Sequence, residues 1–405
     1  MDRAGNKHSI ITIVICFLVA VIEGIDIQAA GIAAVGIRES FGLDSSQLGI
    51  FFSVGILGLL PGALIGGRYA DRIGRKMVLI GAVAIFAVFT LCTVWVNSFY
   101  MLLLVRFLAG AGLGAAMPNL IALVSEAVSS ENRGRAVGLM YCGMPIGAIL
   151  VSLLAAYDVS GHWQTIFYVG GIVPLLVLPL MIKFLPESRE FLQTRFQDKS
   201  TTRIESSFKN LFRNNYAGQT LLLWASYFFT LMVVYIMLSW LPSLFMELGF
   251  SRQQGSLAQV FFQMGAALGT VVLGILIDRW NKAYVIILMY IGILAGLFAL
   301  NGAGSLTAMY AAAALMGTFT IGGQGVLYAF GSIVYPTEIR ATGVGSAAAV
   351  GRIGAMLGPA IAGQLLTMGS GATGVISAAI PGIIISALLM LLVIRKLHQT
   401  QQSEQ

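Results

Sequence analysis

The segment GGRYADRIGRK at residues 66–76 carries four basic residues and one acidic residue between two long apolar stretches. A related segment, GILIDRWNK, follows another apolar stretch at residues 274–282. The aspartates of the two segments, Asp71 and Asp278, lie 207 positions apart, which is about half of the 405-residue chain. An echo at half the chain length predicts two related halves, a pattern typical of membrane transporters.

Two more echoes occur at nearly the same offset. Glu126 precedes RGRA at residues 133–136, and Glu338 opens EIRATG at residues 338–343. GMPIG at residues 143–147 is answered by GRIG at residues 351–354 and by the Gly358-Pro359 pair. Three echoes at nearly one offset indicate a duplication.

The composition is that of a membrane protein. Hydrophobic residues make up 58% of the chain and charged residues only 10%, and the mean hydropathy is +0.87. These values exclude a soluble multidomain enzyme. A helix needs ~20 apolar residues to cross a bilayer. Charge clusters and turns divide the chain into twelve such spans, at 9–37, 46–68, 77–97, 99–125, 134–157, 163–185, 217–243, 255–278, 282–301, 305–334, 341–367 and 372–395.

The basic residues predict the orientation. If the N-terminus is cytoplasmic, twenty of the 24 Lys and Arg residues lie on the cytoplasmic side. Only Arg38 and Arg252 lie outside, and Arg106 and Arg352 lie within spans. The positive-inside rule therefore places both termini in the cytoplasm. The formal net charge of +7 then reflects loop topology, and we expect no nucleic-acid partner.

One long polar stretch, residues 186–216, separates the sixth and seventh spans. We therefore predict an N-terminal six-helix half at residues 1–185, a cytoplasmic linker at 186–216 and a C-terminal six-helix half at 217–405. The predicted fold is an all-α membrane protein with twelve transmembrane helices in two pseudo-symmetric halves. No nucleotide-binding loop, catalytic triad or metal-ligand cluster is visible, so we expect neither an enzyme nor a bound cofactor.

Charged residues inside the spans are the first candidates for a functional site. Glu23 and Asp26 lie three residues apart in the first span, where a carboxylate must find a partner or a proton. We favour proton coupling over a permanent structural pair. Arg106 lies at a depth similar to that of Asp26, so it either pairs with Asp26 statically or exchanges it for substrate. Arg352 has no acidic residue well inside any C-terminal span to neutralise it, which favours anion binding over an arginine satisfied by backbone carbonyls.

Two further sets of residues complete the predicted site and mechanism. Polar and aromatic side chains of the spans are further candidates for substrate contacts: Gln28, Asn119, Tyr141, Tyr227, Tyr235, Gln263, Gln324 and Tyr328. The aromatic residues are the weaker candidates, since such residues are more often packing residues. The amides of Asn119, Gln263 and Gln324 are the better ones, because an unsatisfied amide is costly to bury in lipid. Charged residues at the cytoplasmic ends are predicted to form a conformational latch, and plain topology signals are the alternative: Asp71, Arg72, Arg75, Glu126 and Arg135.

The motif at residues 67–76 resembles the signature loop of the major facilitator superfamily. RFLAGAGLG at residues 106–114 and Pro186-Glu187-Ser188 resemble two more of its motifs. Within that superfamily, EGIDIQAAG (23–31), PNLIAL (118–123), QGVLY (324–328) and GRIGA (351–355) are similar to the aromatic acid:proton symporters. Many members of that family carry Asp where this chain has Glu23.

The resemblance implies inward transport of a small aromatic carboxylate with protons by alternating access. The substrate would be of the hydroxyphenylpropionate, hydroxycinnamate or hydroxybenzoate type, and the protein would serve aromatic catabolism in the bacterial inner membrane. The proton would be the coupling ion and a monomer would suffice. The alternatives are an importer of a non-aromatic organic acid, a proton-coupled exporter and, from another class, a membrane receptor or sensor.

Overall fold

The structure is a computed structural model that describes residues 3–158, 162–188, 191–192, 211–212 and 216–403. Within these ranges the chain forms thirteen α-helices and one short 3₁₀ turn, Ser130–Asn132. The first seven helices are α1 (Arg3–Phe41), α2 (Ser45–Ile73), α3 (Arg75–Cys92), α4 (Phe99–Ala127), α5 (Arg133–Tyr141), α6 (Gly143–Tyr157) and α7 (Gln164–Phe184). The remaining six are α8 (Tyr216–Glu247), α9 (Arg252–Arg279), α10 (Lys282–Gly302), α11 (Leu306–Val334), α12 (Thr337–Thr367) and α13 (Gly371–Ser403).

The prediction of an all-α chain with twelve spans is confirmed. Twelve segments of the described chain are long and apolar enough to cross a membrane. The fifth predicted span is one such segment, Arg133–Tyr157, but its helix is interrupted between Tyr141 and Gly143. Pro145 explains the interruption, because proline has no N–H to donate to the carbonyl four residues earlier, that of Tyr141.

The chain divides into two compact units. The first comprises residues 1–43 and 50–202, and the second comprises residues 44–49 and 203–405. The predicted linker at 186–216 lies mostly outside the described residues, so its boundaries stay a prediction. Apolar side chains of α1, α3, α4 and α7 form much of the core of the first unit, including fully buried Phe86, Leu79 and Met181.

The two units use the same pairs of helices. In the first unit α1 contacts α6 and α3 contacts both α4 and α7, and in the second unit α8 contacts α12 and α10 contacts both α11 and α13. Glycines allow the closest of these approaches. A Cβ at Gly147 of α6 would overlap the carbonyl of Val21, and a Cβ at Gly354 of α12 would overlap that of Phe228. The helix pairing thus reproduces the duplication that the motifs predict.

Candidate functional site

The first unit holds a buried ionic cluster. Arg106 of α4 and Asp26 of α1 are 6% and 0% exposed, and Arg106 Nη1 lies 3.5 Å from Asp26 Oδ1. The same carboxylate oxygen accepts a hydrogen bond of 2.6 Å from Thr90 Oγ1 of α3. Three helices therefore meet at one carboxylate. Sequence reasoning predicted a pairing of Arg106 with Asp26 and missed Thr90, which lies 64 residues from Asp26.

Two aromatic rings complete the surroundings of Arg106. Its guanidinium carbon lies 5.7 Å from the ring centroids of Phe51 and Phe167, which is cation–π distance. One carboxylate and two rings thus surround the guanidinium, while its Nε and Nη1 atoms make no hydrogen bond among the described residues. A substrate carboxylate would have to share Arg106 with Asp26.

Glu23 lies one helical turn before Asp26 and is 1% exposed. Neither of its carboxylate oxygens has a hydrogen-bond partner among the described residues. Burying an ionised carboxylate without a partner is costly, so Glu23 is suited to hold a proton and release it when its surroundings change. The adjacent Gly24 contacts the Met144 backbone, where a Cβ would overlap the carbonyl oxygen. Gly24 thus serves the packing of α1 on α6.

The remaining candidates of the first unit make local contacts. Gln28 is buried and engaged in a polar interaction. Asn119 is also buried and donates from Nδ2 to the carbonyl of Ala115 in its own helix, at 2.8 Å. Tyr141 packs half-buried at the edge of the apolar core. The amide of Asn119 is therefore satisfied by its own backbone, which lessens the case for it as a substrate contact.

The second unit brings four predicted residues together from three helices. Tyr235 of α8 lies within electrostatic reach of Arg352 of α12 and Tyr328 of α11. The Nε2 group of Gln324 donates to the Tyr328 hydroxyl at 3.2 Å. All four side chains are half-buried, and no described carboxylate pairs with Arg352. The side chains of this cluster therefore comprise one guanidinium cation, two phenols and one amide.

Tyr227 and Gln263 are placed differently. Tyr227 is fully buried, and its hydroxyl donates to the carbonyl of Leu327 at 2.5 Å. Its ring packs edge-on against Tyr328, with centroids 5.8 Å apart. Tyr227 thus contacts the cluster through the ring of Tyr328. Gln263 of α9 is 4% exposed and engaged in a polar interaction.

A second polar group of the second unit is made only of hydroxyls. Ser226 and Thr230 of α8, Tyr290 of α10 and Ser386 of α13 are all buried. The Ser386 hydroxyl lies 2.9, 2.7 and 2.9 Å from those of Ser226, Thr230 and Tyr290. The network satisfies its own members and joins three helices. Sequence reasoning did not identify it, since each hydroxyl alone is unremarkable in an apolar span.

The predicted latch residues fall into two groups. Arg75 forms an ion pair with Glu126, whereas Asp71, Arg72 and Arg135 are exposed side chains. Glu126 Oε2 also accepts a hydrogen bond of 2.5 Å from Ser188 Oγ. The structure therefore brings Arg75 and Glu126 together and adds Ser188 to them.

Glu187, the neighbour of Ser188, caps helix α3. Its Oε1 accepts hydrogen bonds from the backbone N–H of Lys76, at 2.9 Å, and of Ser188, at 2.8 Å. A carboxylate at a helix N-terminus satisfies a free donor and complements the helix dipole. Gly74, which precedes the helix, has φ +99°, a conformation that favours glycine.

Comparison with known proteins agrees with the fold and the motifs. The family model described as Major Facilitator Superfamily matches residues 16–359 and 223–405. The chain is 48% identical over 398 residues to the 3-(3-hydroxy-phenyl)propionate transporter of Escherichia coli K12, covering 98% of this chain and 97% of that protein. It is 36% identical to the gallate transporter of Pseudomonas putida, covering 91% and 88%.

A solved structure gives the same fold. The crystal structure of a D-xylose-proton symporter superposes with a TM-score of 0.77 at 18% identity, covering 94% of this chain and 96% of that one. At this identity the likeness concerns the fold alone. The family model, which matches residues 16–359 and 223–405, and the relative that is 48% identical over 98% of this chain show that the chain belongs to the Major Facilitator Superfamily and is a transporter rather than an enzyme.

Proposed function

We propose that the protein imports a small aromatic carboxylate together with protons by alternating access. Two full-length relatives are described as transporters of 3-(3-hydroxy-phenyl)propionate and of gallate. Both compounds carry a carboxylate and at least one phenolic hydroxyl on a benzene ring. A protein that binds such a substrate needs a cation for the carboxylate, hydrogen-bonding groups for the phenol and apolar walls for the ring.

The observation that carries the proposal is Arg352, which pairs with no described carboxylate and lies within electrostatic reach of Tyr235 in the cluster that Tyr328 and Gln324 extend. A guanidinium can bind a carboxylate through two parallel hydrogen bonds. Gln324 and the two tyrosine hydroxyls offer donors and acceptors to a phenol, while the tyrosine rings offer a surface for the benzene ring. Arg106 is the weaker candidate for this role because Asp26, Phe51 and Phe167 already surround it.

We assign the proton to the first unit. Glu23 is buried without a hydrogen-bond partner among the described residues, and Asp26 is held by Arg106 and Thr90. Protonation of Asp26 would weaken its attraction to Arg106, and protonation of Glu23 would remove a buried charge. Both events change the electrostatic balance of α1, α3 and α4. A change of this kind can bias a two-state transporter.

The distribution of charged residues supports a location and an orientation for the protein. The excess of basic residues in alternate loops supports cytoplasmic N- and C-termini in a bacterial inner membrane. A single chain carries both the anion-binding arginine and the two carboxylates, so we expect the monomer to function. The latch role of Arg75, Glu126 and the exposed Asp71, Arg72 and Arg135 belongs to the same proposal. Their contacts would differ between the two end states.

The test is uptake into proteoliposomes with an imposed pH gradient. Labelled 3-(3-hydroxyphenyl)propionate and gallate should accumulate when the outside is acidic, and collapse of the gradient should abolish accumulation. Asp26→Asn should lose accumulation but retain exchange of substrate across the membrane. Thr90→Val, which removes one hydrogen bond and leaves the carboxylate, should retain coupling with a displaced pH dependence.

Four outcomes would overturn parts of the proposal. If the vesicles accumulate muconate but no aromatic acid, the protein is an importer of non-aromatic acids. Accumulation only with the opposite gradient would identify an exporter. Saturable binding without any transport would favour a receptor. Wild-type accumulation by Asp26→Asn would remove Asp26 from the coupling mechanism.

A further inference from the structure

A groove opens between the first turns of α8 and the last membrane turns of α13, away from the proposed substrate residues. Its volume is about 530 Å³. Six residues of the second unit line it: Gly218, Leu221, Leu222, Leu392, Arg395 and Lys396. The groove therefore combines an apolar wall with two cations.

The apolar wall continues along α13 as a stripe of exposed side chains. Ile384, Leu388 and Leu392 are 43%, 56% and 47% exposed and lie four residues apart, so they share one helix face. The next position on this face is Lys396. From Ile384 to Lys396 the helix rises about 18 Å, which is close to half of the ~30 Å hydrocarbon core of a bilayer. The stripe thus spans about one leaflet.

The cationic end lies where the leaflet meets water. Arg395 and Lys396 are exposed, and no described carboxylate pairs with Arg395. Glycine at position 218 gives the lysine room, since a Cβ there would lie 2.5 Å from Lys396 Nζ. A larger residue would move the ammonium group away from α8. The position of the lysine over α8 therefore depends on Gly218.

We propose that this groove binds one anionic phospholipid of the leaflet that it faces. Arg395 and Lys396 contact the phosphate, and one acyl chain lies along Leu221 and the stripe of α13. Basic pockets between membrane helices are suited to anionic headgroups. A soluble anion would use the two cations but gain nothing from the exposed leucines, and a zwitterionic lipid would gain less from the cations. The orientation proposed above places this lipid in the cytoplasmic leaflet.

The experiment is native mass spectrometry of the purified full chain, titrated separately with phosphatidylglycerol and phosphatidylcholine. The wild type should retain one phosphatidylglycerol in preference to phosphatidylcholine. The double substitution Arg395→Gln/Lys396→Gln should lower phosphatidylglycerol affinity roughly thirtyfold, from about fivefold for each cation near a membrane surface. Gly218→Leu, which fills the groove, should weaken the binding of both lipids.

The matched control is Arg279→Gln/Lys282→Gln, which removes two exposed cations from the ends of α9 and α10. It should bind phosphatidylglycerol like the wild type. An equal loss of phosphatidylglycerol affinity in both double variants would overturn the proposal, because it would show that surface cations in general attract the lipid. Displacement of the lipid by an equal concentration of glycerol 3-phosphate would identify a soluble-anion site instead. Absence of a retained lipid in the wild type would refute the proposal outright.

Discussion

Replacement of Arg352 by alanine should abolish the preference of the transporter for a carboxylate. Arg352 is the one arginine of the proposed substrate cluster, and no described acidic side chain competes for it. Truncating one partner of a buried, hydrogen-bonded charge pair costs about 2–4 kcal/mol. At 1.4 kcal/mol per factor of ten, this energy corresponds to a dissociation constant that is roughly 30- to 700-fold larger. Arg352→Lys keeps the charge but loses the planar fork, so its affinity should lie between alanine and wild type.

The assay is equilibrium binding of 3-(3-hydroxyphenyl)propionate and of its uncharged amide. Wild-type protein should prefer the acid strongly, and Arg352→Ala should bind both compounds with similar, weak affinity. Arg340→Ala is the matched control, because it removes an exposed arginine from the same helix. It should keep the wild-type preference. Arg106→Ala should chiefly alter the pH dependence, since it leaves Asp26 without its cation.

One result would refute this assignment. If Arg352→Ala retains the wild-type preference for the acid while Arg106→Ala loses it, the two arginines exchange roles. The ion pair with Asp26 would then have to open when substrate binds. Thermal unfolding of each variant in detergent separates loss of the site from loss of the fold.

Three further outcomes are expected. Glu23→Gln should unfold at or above the wild-type temperature, because the Glu23 carboxyl makes no hydrogen bond among the described residues and the amide can carry no charge, yet it should lose gradient-driven accumulation in vesicles; a variant that still accumulates substrate would exclude Glu23 from coupling. Gly317→Val should destabilise the protein by about 1–3 kcal/mol, since its side chain would overlap the Phe262 backbone, whereas Gly325→Val on the same helix meets open space and serves as control in thermal unfolding. Glu187→Ala should cost ~1 kcal/mol by uncapping α3, and an unchanged unfolding midpoint would contradict the capping role.

The architecture was accessible from the sequence because membrane spans are long and apolar without interruption. The twelve runs, the echo of Asp71 by Asp278 and the glycine motifs all concern residues close in sequence, or spaced by half the chain. The sequence did not predict the interruption at Cys142, because a proline such as Pro145 often bends a membrane helix without breaking it. Only the actual path of the backbone distinguishes these cases.

The surroundings of the charged residues were less accessible. The positions of Arg106 and Asp26 along their spans suggested that the two residues lie at a similar depth in the membrane. Those positions could not indicate that Thr90, Phe51 and Phe167 contact the pair from other helices. Asn119, whose role as a substrate contact stays a prediction, shows how local backbone bonding enters. Its amide looked costly to bury, yet the carbonyl four residues earlier satisfies it. Long-range packing and local backbone bonding decide such cases, and neither leaves a pattern in the sequence.

The hydroxyl network of Ser226, Thr230, Tyr290 and Ser386 has a consequence for how an acid gradient acts on this protein. Serine, threonine and tyrosine hydroxyls stay neutral throughout the physiological range. The bonds that join α8, α10 and α13 are therefore indifferent to acidification on either side of the membrane. Under the proposal that Glu23 and Asp26 take up the proton, the response to the gradient begins in the first unit, while this hydroxyl network of the second unit keeps its bonds unchanged.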